Sequence, residues 1–171
     1  MKIVISPFSN LKAMSDGRPH PKNMPISYWK EIISSLKLHH EIIQIGVTGE
    51  ERLTDDCRFD LKIPRLVELI KEMDLFISVD NFFPHMVHHY HERYKKRGIV
   101  IFSQSDPAIY SYIENANLLK DKKYLRKNQF WLWGQAEYNE DAFVHPEEVM
   151  KAINQPSATV APIIHFSENA S

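Results

Sequence analysis

The sequence has a single cysteine, almost no net charge and no long hydrophobic run, and each shortage excludes a class of protein. Cys57 has no second cysteine to pair with. This excludes an internal disulfide and a cysteine-based zinc cluster, and favours a reducing compartment, the cytoplasm by default. No stretch approaches about 18 consecutive apolar residues, so no transmembrane segment is predicted. The opening MKIVISPFSN turns polar too early for a secretory signal peptide.

Basic and acidic side chains are nearly balanced. The 21 lysines and arginines are matched by 22 aspartates and glutamates, which gives a formal charge of −1. This balance excludes nucleic acid and anionic membrane as the expected main partner, although a single phosphate group is compatible with it. At 171 residues the chain has the size of one domain, which buries roughly 70% of its unfolded surface. A substantial core is therefore expected.

The middle of the chain predicts a strand, a helix and a second strand in succession. Leu75–Val79 has the pattern of a buried strand and stops at Asp80 and Asn81, which favour turns and helix caps. The next segment has apolar residues at the three- and four-residue spacing of a helix on a sheet, namely Phe82, Phe83, Met86, Val87 and Tyr90. This helix is predicted to end at Gly98, and Ile99–Phe102 to form the second strand.

The start of that helix has two interpretations. A helix that opens at the carboxyl end of a parallel strand presents unpaired amides and a partial positive charge, which suit a phosphate or pyrophosphate. Alternatively, Asp80 or Asn81 simply caps the helix. Spacing alone leaves both interpretations open.

The rest of the chain extends the same alternation. Further predicted elements are a strand over Lys2–Phe8, a helix capped by Ser27, a strand over His40–Ile45, an edge strand over Arg58–Leu61, a helix opened by Pro64 and one from Pro146 to Asn154. Strands joined by helices usually run parallel. The predicted fold class is α/β, a Rossmann-like parallel sheet with helices on both faces, over residues 1–154 with an extension over 155–171. Residues 108–140 show no interpretable pattern.

Several polar loops follow strands and therefore meet at one edge of the predicted sheet. Glu50 and Glu51 follow the second strand, where they either bind the hydroxyls of a ribose or are simply solvated. Ser105 and Asp106 follow the strand that ends at Phe102. Open α/β sheets bind their ligands at this edge, so a ligand site is expected there.

Three histidines share one face of the central helix. His85, His88 and His89 have the three- and four-residue spacing that is compatible with a metal site, with a ligand contact by His85, or with packing. Of these, packing is the most common outcome. We predict no metal site and no cofactor.

Six segments carry a resemblance to a known family. They are Ser6–Ser9, Lys22–Pro25 with Tyr28 and Trp29, Gln44–Gly46 with Glu50 and Glu51, Ile77–Asn81 with His85, Ile101–Pro107, and Val144–Ile153. In order and spacing they resemble the C-terminal half of the family 9 glycosyltransferases, which include the ADP-heptose heptosyltransferases. Asp80, Asn81 and His85 match the family's Asp-Ser/Thr-Gly-x-x-His signature, with Phe82 at the glycine position.

The resemblance implies a single GT-B C-terminal domain that binds a nucleotide-diphosphate sugar donor. The implied donor-binding residues are Ser9, Lys22, Glu50, Glu51, Asp80, Asn81, His85, Ser105 and Asp106. Lys22 and Ser9 would face the phosphates, Glu50 or Glu51 the ribose. The acceptor side would come from a partner protein or a second copy, and no catalytic residue is assigned.

Two other functions stay open at this stage. One is a non-catalytic nucleotide or nucleotide-sugar binding protein. The other is a different enzyme built on the same half-fold, which would use His85 and Asp80 as acid and base.

Overall fold

The seven strands of the described residues run parallel in one sheet. The computed structural model describes residues 1–9, 18–129, 136–154 and 164–165. The strands are β1 Lys2–Ser6, β2 Glu41–Gly46, β3 Asp56–Phe59, β4 Leu75–Val79, β5 Gly98–Phe102, β6 Ala116–Leu119 and β7 Ile164–His165. The helices are α1 Ile26–Leu36, α2 Ile63–Glu72, α3 Phe82–His89, α4 His91–Tyr94, α5 Pro107–Tyr110 and α6 Pro146–Asn154.

The strand order is β3-β2-β1-β4-β5-β6-β7. From β1 the chain first builds outward through β2 to β3, then returns to place β4 against the other side of β1. The first six strands therefore have the Rossmann order, with the reversal of direction between β1 and β4. The gap at the carboxyl ends of these two strands is where such sheets bind ligands.

The core has two layers because side chains alternate across each strand. In β1, Ile3 and Ile5 pack on one face of the sheet with α1 and α6, while Val4 packs on the other face with α2 and α3. Central β4 and β5 are buried along their whole length. A sheet covered by helices on both faces requires such continuously apolar strands, and the predicted fold class is confirmed.

Two local predictions about helix starts and faces were wrong. Helix α1 begins at Ile26, and its cap residue is Pro25, whose ring sets φ near −50° without a side-chain hydrogen bond, so Ser27 lies inside the helix. Phe82 does not face the sheet, since 62% of its surface is exposed, whereas its neighbour Phe83 is buried against Phe76.

Gly98 does not end the central helix. The helix breaks at Tyr90, and its continuation ends at Lys95, which adopts the left-handed conformation with φ 51°. Gly98 is the first residue of β5, and an added Cβ there would lie 2.2 Å from the ring of Phe76. The glycine is needed for packing between strands.

The described part of the segment 108–140, which has no interpretable pattern, contains most of α5, the strand β6 and the 3-10 turn Lys122–Tyr124. The strand Ala116–Leu119 extends the sheet beyond β5. It was missed in the sequence because it is short and follows several polar residues. The aromatic run Phe130–Trp133 lies outside the described residues. Within the extension predicted over 155–171, Ile164–His165 pairs in parallel with β6. Among the described residues, no helix is long and apolar enough to cross a membrane.

Candidate functional site

A buried ion pair lies at the carboxyl ends of β4 and β5. The Nζ atom of Lys22 is 2.7 Å from Oδ2 of Asp80, and the two side chains are only 17% and 5% exposed. The same carboxylate oxygen accepts a hydrogen bond of 2.5 Å from the hydroxyl of Ser105. Three of the residues predicted from sequence are thus brought together from a loop and two strand ends. Both charges are largely shielded from water, so each needs the other as its counter-charge.

The loop that carries Lys22 is attached to the end of β5 just before the lysine and is braced by two hydrogen bonds of its own. The hydroxyl of Ser103, just after β5, donates to the backbone oxygen of Pro21 at 2.8 Å. The amide of Asn23 donates to the backbone oxygen of His20. The amide of Lys22 donates to the ring Nδ1 atom of the same histidine at 3.2 Å. These bonds fix the lysine over Asp80.

His20 is held in its neutral form. Burial first, and then the positive charges of Lys22 and Arg126, lower the pKa of His20 from 6.5 to about 4. Its Nδ1 therefore serves as a hydrogen-bond acceptor at neutral pH. Sequence reasoning missed this residue because its role depends on burial within a long polar loop.

Asn81 is the cap of α3, and Asp80 is not. The Oδ1 atom of Asn81 accepts a hydrogen bond from the amide of Phe83 at 2.9 Å, so Asn81 is the cap of the two candidates. Its Nδ2 donates to the backbone oxygens of Ser6 and Phe8 and to the Ser6 hydroxyl, at 2.9 to 3.1 Å. One side chain thus joins the ends of β1 and β4, at the point where the strand order reverses.

The first turn of α3 offers fewer amides to an anion than an ordinary helix start. The N–H of Phe83 is bonded to Asn81, and Pro84 has no N–H. Two of the first three helical positions are thus closed to an anion. The Phe82 side chain is largely exposed and lines the cavity beside this turn.

A cavity of about 570 Å³ opens beside Asn81 and spans the ends of β1, β2 and β4. Three predicted site residues line it, namely Ser9, Glu50 and Asn81. Its apolar wall includes Leu61, Ile63, Leu66, Phe82 and Phe83. The volume and the mixture of an apolar wall with a few polar groups are typical of small-molecule sites.

Glu50 folds back over Gly46 in this cavity. A Cβ at Gly46 would lie 1.8 Å from Oε2 of Glu50, so only glycine leaves room for the carboxylate. That oxygen is buried and has no hydrogen-bond partner among the described residues. Burial, with a smaller contribution from the nearby Asp60 charge, raises the pKa of Glu50 to about 7.

The corner of the cavity next to Glu50 is fixed by Asp60. The Asp60 carboxylate accepts a hydrogen bond of 2.5 Å from the Thr48 hydroxyl and another from the Thr48 amide. These two bonds, the hydroxyl bond most of all, lower the pKa of Asp60. Its own amide donates to the backbone oxygen of Gly46. Asp60 has a left-handed φ of 55°, a conformation that aspartate tolerates better than most residues.

Ser9 and Glu51 are placed at the edge of the same region. The amide of Ser9 donates to Oδ1 of Asn23 at 2.7 Å, which joins the end of β1 to the Lys22 loop. Glu51 lines a neighbouring cavity of about 470 Å³ together with Glu50, and forms an exposed ion pair with Lys30 at 3.2 Å. Of the two glutamates proposed for a ribose, only Glu50 lines the larger cavity.

Asp106 and His85 have local structural partners. The Asp106 carboxylate caps the short helix α5 through the amide of Ala108, and His85 Nδ1 lies 2.6 Å from the hydroxyl of Tyr112. Neither residue is among the described residues lining these two cavities. In the part of the chain that the structure describes, no group of three or more histidine, cysteine, aspartate or glutamate side chains is arranged to hold a metal ion.

The carboxyl edge of the sheet therefore carries a shielded ion pair and, next to Asn81, a cavity with a half-buried carboxylate and an apolar wall. Lys22, Asp80 and Ser105 are not among the described residues that line this cavity. Comparison of the chain with family models, curated proteins and solved structures gave no match. The functional argument accordingly depends on this geometry and on the sequence resemblance.

Proposed function

We propose that this crevice binds a nucleotide-diphosphate sugar, and that the chain is the donor-binding half of a glycosyltransferase of the family 9 kind. The observation that carries the proposal is the Lys22–Asp80 pair beside the Glu50 cavity at the reversal point of a Rossmann-ordered sheet. The sequence resemblance supports the same assignment.

Each part of such a ligand has a chemically suitable neighbour. The Lys22 ammonium group supplies N–H donors for the diphosphate, with its charge balanced by Asp80, and the Glu50 carboxyl group in the cavity accepts from ribose hydroxyls. The apolar wall around Leu61 and Ile63 suits the base. Charge accumulates on the diphosphate as it leaves the sugar, and a fixed ammonium group stabilises that charge in the transition state. This role of Lys22 requires no metal ion.

We assign the acceptor side of the reaction to a partner protein or a second copy of the chain. Three apolar side chains remain exposed at the mouth of the crevice, with 41% of Val47, 59% of Ile63 and 62% of Phe82 accessible. They line the same cavity as Glu50. A contiguous exposed apolar rim of this kind is typical of surfaces that another molecule covers.

A second candidate function is non-catalytic binding of a nucleotide or nucleotide sugar. The first turn of α3 favours it, because Asn81 and Pro84 close two amide positions and Phe82 stands where the resembled family has glycine. A domain that only holds a nucleotide does not need amides directed at a departing diphosphate.

Calorimetric titration and thermal unfolding against a panel of nucleosides, nucleoside diphosphates and nucleotide sugars test the proposal. We expect a nucleotide sugar at 100 times its Kd to stabilise the protein by about 2.7 kcal/mol. Absence of binding by every nucleotide and nucleotide sugar contradicts both candidate functions. If the protein binds a nucleotide sugar but does not transfer the sugar to any acceptor of a test panel, with the partner chain present, the non-catalytic function is favoured.

The phosphate contact is tested by the charge-neutral double variant Lys22→Met/Asp80→Asn. It should lose affinity for nucleoside diphosphates by about tenfold or more while its affinity for nucleosides stays unchanged, since an ammonium group contributes a charge-assisted bond. The matched control is Lys2→Met/Glu72→Gln, an ion pair of 3.0 Å at the amino end of β1, far along the strand from the crevice. Equal losses for diphosphates and nucleosides would remove Lys22 from the phosphate site.

A further inference from the structure

Gln44 is a fully buried polar residue between two buried isoleucines of β2. Its exposure is 0%, like that of its neighbour Ile43. A buried amide group costs stability unless its donors and acceptors are bonded, whereas leucine or methionine would fill the same space without that requirement. The bonds that Gln44 makes therefore indicate what this side chain does.

Both ends of the Gln44 amide group are bonded to the loop between β2 and β3. Its Nε2 donates to the backbone oxygen of Glu51 at 2.8 Å, and its Oε1 accepts from the backbone amide of Leu53 at 2.7 Å. The same Oε1 accepts a weaker bond of 3.4 Å from the thiol of Cys57. Only this orientation of the side-chain amide pairs a donor with an acceptor at each contact. One side chain thus holds two peptide groups of the loop against the strand.

Glu50 lies immediately before the first of these two peptide groups. The turn that precedes it passes through Gly49, whose φ is 101°, a conformation that favours glycine. Earlier in the same turn, the amide and hydroxyl of Thr48 are bonded to the Asp60 carboxylate. The loop is therefore fixed on both sides of Glu50, by Asp60 before it and by Gln44 after it.

These two attachments determine where the Glu50 side chain lies. Because the backbone is held on both sides, the carboxyl group returns over Gly46, two residues beyond Gln44 on the same strand, and lines the cavity beside Asn81. Burial in this position raises the pKa of Glu50 to about 7. A loop released from β2 would leave the carboxyl group hydrated, with a pKa closer to 4.5.

We propose that Gln44 is a positioning residue for the candidate site. By bonding to the backbone of Glu51 and Leu53, it holds the Glu50 carboxyl group in the cavity, and thereby raises the affinity of the cavity for a ligand that bonds to this group. The first part, the placement of Glu50, depends only on the contacts described above. The second part rests on the proposed function, in which ribose hydroxyls bond to Glu50.

NMR titration of the Glu50 carboxyl group tests the placement in the variant Gln44→Met, which keeps an unbranched side chain and removes its hydrogen bonds. We expect the pKa of Glu50 to move from about 7 toward 4.5. The affinity for a nucleoside or nucleotide sugar, measured by calorimetry, should fall by about tenfold. A loss of this size corresponds to ordering the backbone of roughly one residue on binding.

The matched control is Asn117→Leu, which also replaces a buried amide group that holds a loop. Asn117 is 2% exposed in β6, and its Nδ2 donates to the backbone oxygens of Tyr112 and Asn115 at 2.9 and 3.1 Å. These contacts lie at the amino end of β6, whereas the Glu50 cavity lies at the carboxyl edge of the sheet. The control should lose stability but keep the pKa of Glu50 and the ligand affinity unchanged.

Amide hydrogen exchange in the unmodified protein tests the same contact without any substitution. The N–H of Leu53 lies outside the strands and helices, yet it is bonded to a side chain that is inaccessible to water. We expect it to exchange at least about 100-fold more slowly than in an unstructured chain.

Three results would overturn the positioning role of Gln44: a pKa of Glu50 that stays near 7 in Gln44→Met, an equal change of this pKa in Asn117→Leu, or unprotected exchange of the Leu53 N–H. An unchanged ligand affinity despite a lowered pKa would contradict the second part of the proposal. If the pKa falls but no nucleoside or nucleotide binds the unmodified protein, the proposed function fails while the placement of Glu50 by Gln44 is confirmed.

Discussion

The ammonium group of Lys22 lies 2.7 Å from a carboxylate oxygen of Asp80, although the two residues are 58 positions apart in the chain. The lysine comes from a polar loop after β1 and the aspartate from the end of β4. Their contact closes the loop over the carboxyl edge of the sheet. Both side chains have been removed from water, so each depends on the other for the compensation of its charge.

Removing only one member of this pair should be more costly than removing both. We expect Lys22→Ala to lower the free energy of unfolding by roughly 3 to 5 kcal/mol, because a buried carboxylate is left without a counter-charge. The double variant Lys22→Met/Asp80→Asn should recover most of that loss. Urea unfolding of both variants measures the difference.

The exposed pair of Lys30 and Glu51 provides the contrast, since these side chains are 63% and 43% accessible. Lys30→Ala should change the stability by less than about 1 kcal/mol. A loss in Lys22→Ala as small as this would show that Asp80 is not deprived of water in solution.

His20 and Glu50 should make opposite contributions to the pH dependence of stability. The lowered pKa of His20, about 4 instead of 6.5, means that the unfolded chain binds its proton first, so stability falls as pH falls through this range. The raised pKa of Glu50, about 7 instead of 4.5, means that the native state keeps its proton longer, so stability falls as pH rises through this range. The two trends largely cancel between pH 4.5 and 6.5.

Substituting one of the two residues should therefore produce a dependence of stability on pH that is cancelled in the unmodified protein. Glu50→Gln leaves the His20 trend, and the variant should lose about 2 kcal/mol between pH 6.5 and 4. His20→Asn leaves the Glu50 trend, with a similar loss between pH 4.5 and 7. Chemical denaturation across this pH range measures both. Identical profiles for all three proteins would be incompatible with the burial of these groups.

The two glycines in strands, Gly46 and Gly98, should respond differently to replacement by alanine. At Gly46 the new Cβ would meet the flexible end of Glu50, so Gly46→Ala should displace that carboxylate into solvent and change stability by less than about 1 kcal/mol. At Gly98 the Cβ would meet the ring of Phe76 in the core, and Gly98→Ala should cost roughly 1 to 3 kcal/mol.

NMR titration of the Glu50 carboxyl separates this explanation from a general loosening of the strand. In Gly46→Ala the pKa of Glu50 should return toward 4.5, because the carboxylate is hydrated again. A pKa that stays near 7 would show that Glu50 keeps its place and that β2 has moved instead.

Asn81 and Asp106 both cap helices, but replacing them by alanine should lower the stability of the protein by different amounts. Asp106→Ala removes an exposed cap of a four-residue helix and should cost about 0.5 to 1 kcal/mol. Asn81→Ala removes a cap and also the bonds that join β1 to β4, so we expect roughly 2 to 4 kcal/mol. Thermal and urea unfolding of the two variants tests this order. A reversed order would contradict the role of Asn81 between the strands.

Much of the fold could be predicted because its signals are local. The apolar runs that became β1, β2, β4 and β5 are buried on both faces, and such runs are recognisable without any knowledge of their neighbours. The strand order was not encoded in any single segment. Short β6 was missed, and Phe82 was assigned to the buried face because apolar spacing does not distinguish the core from the rim of a ligand crevice.

The candidate site was predicted only in part because its contacts join distant segments. Lys22, Asp80 and Ser105 were each singled out, but nothing in the sequence shows that all three meet. Asp106 was recognisable as a residue at the correct edge, yet only the coordinates show that it serves as a cap.

The bonds of Asp60 to Thr48 and Gly46 have a further consequence for how fast a ligand associates. They hold one corner of the Glu50 cavity in its final shape before any ligand arrives, so little backbone entropy remains to be lost there on binding. Association at this corner should proceed as a single bimolecular step whose rate grows linearly with ligand concentration.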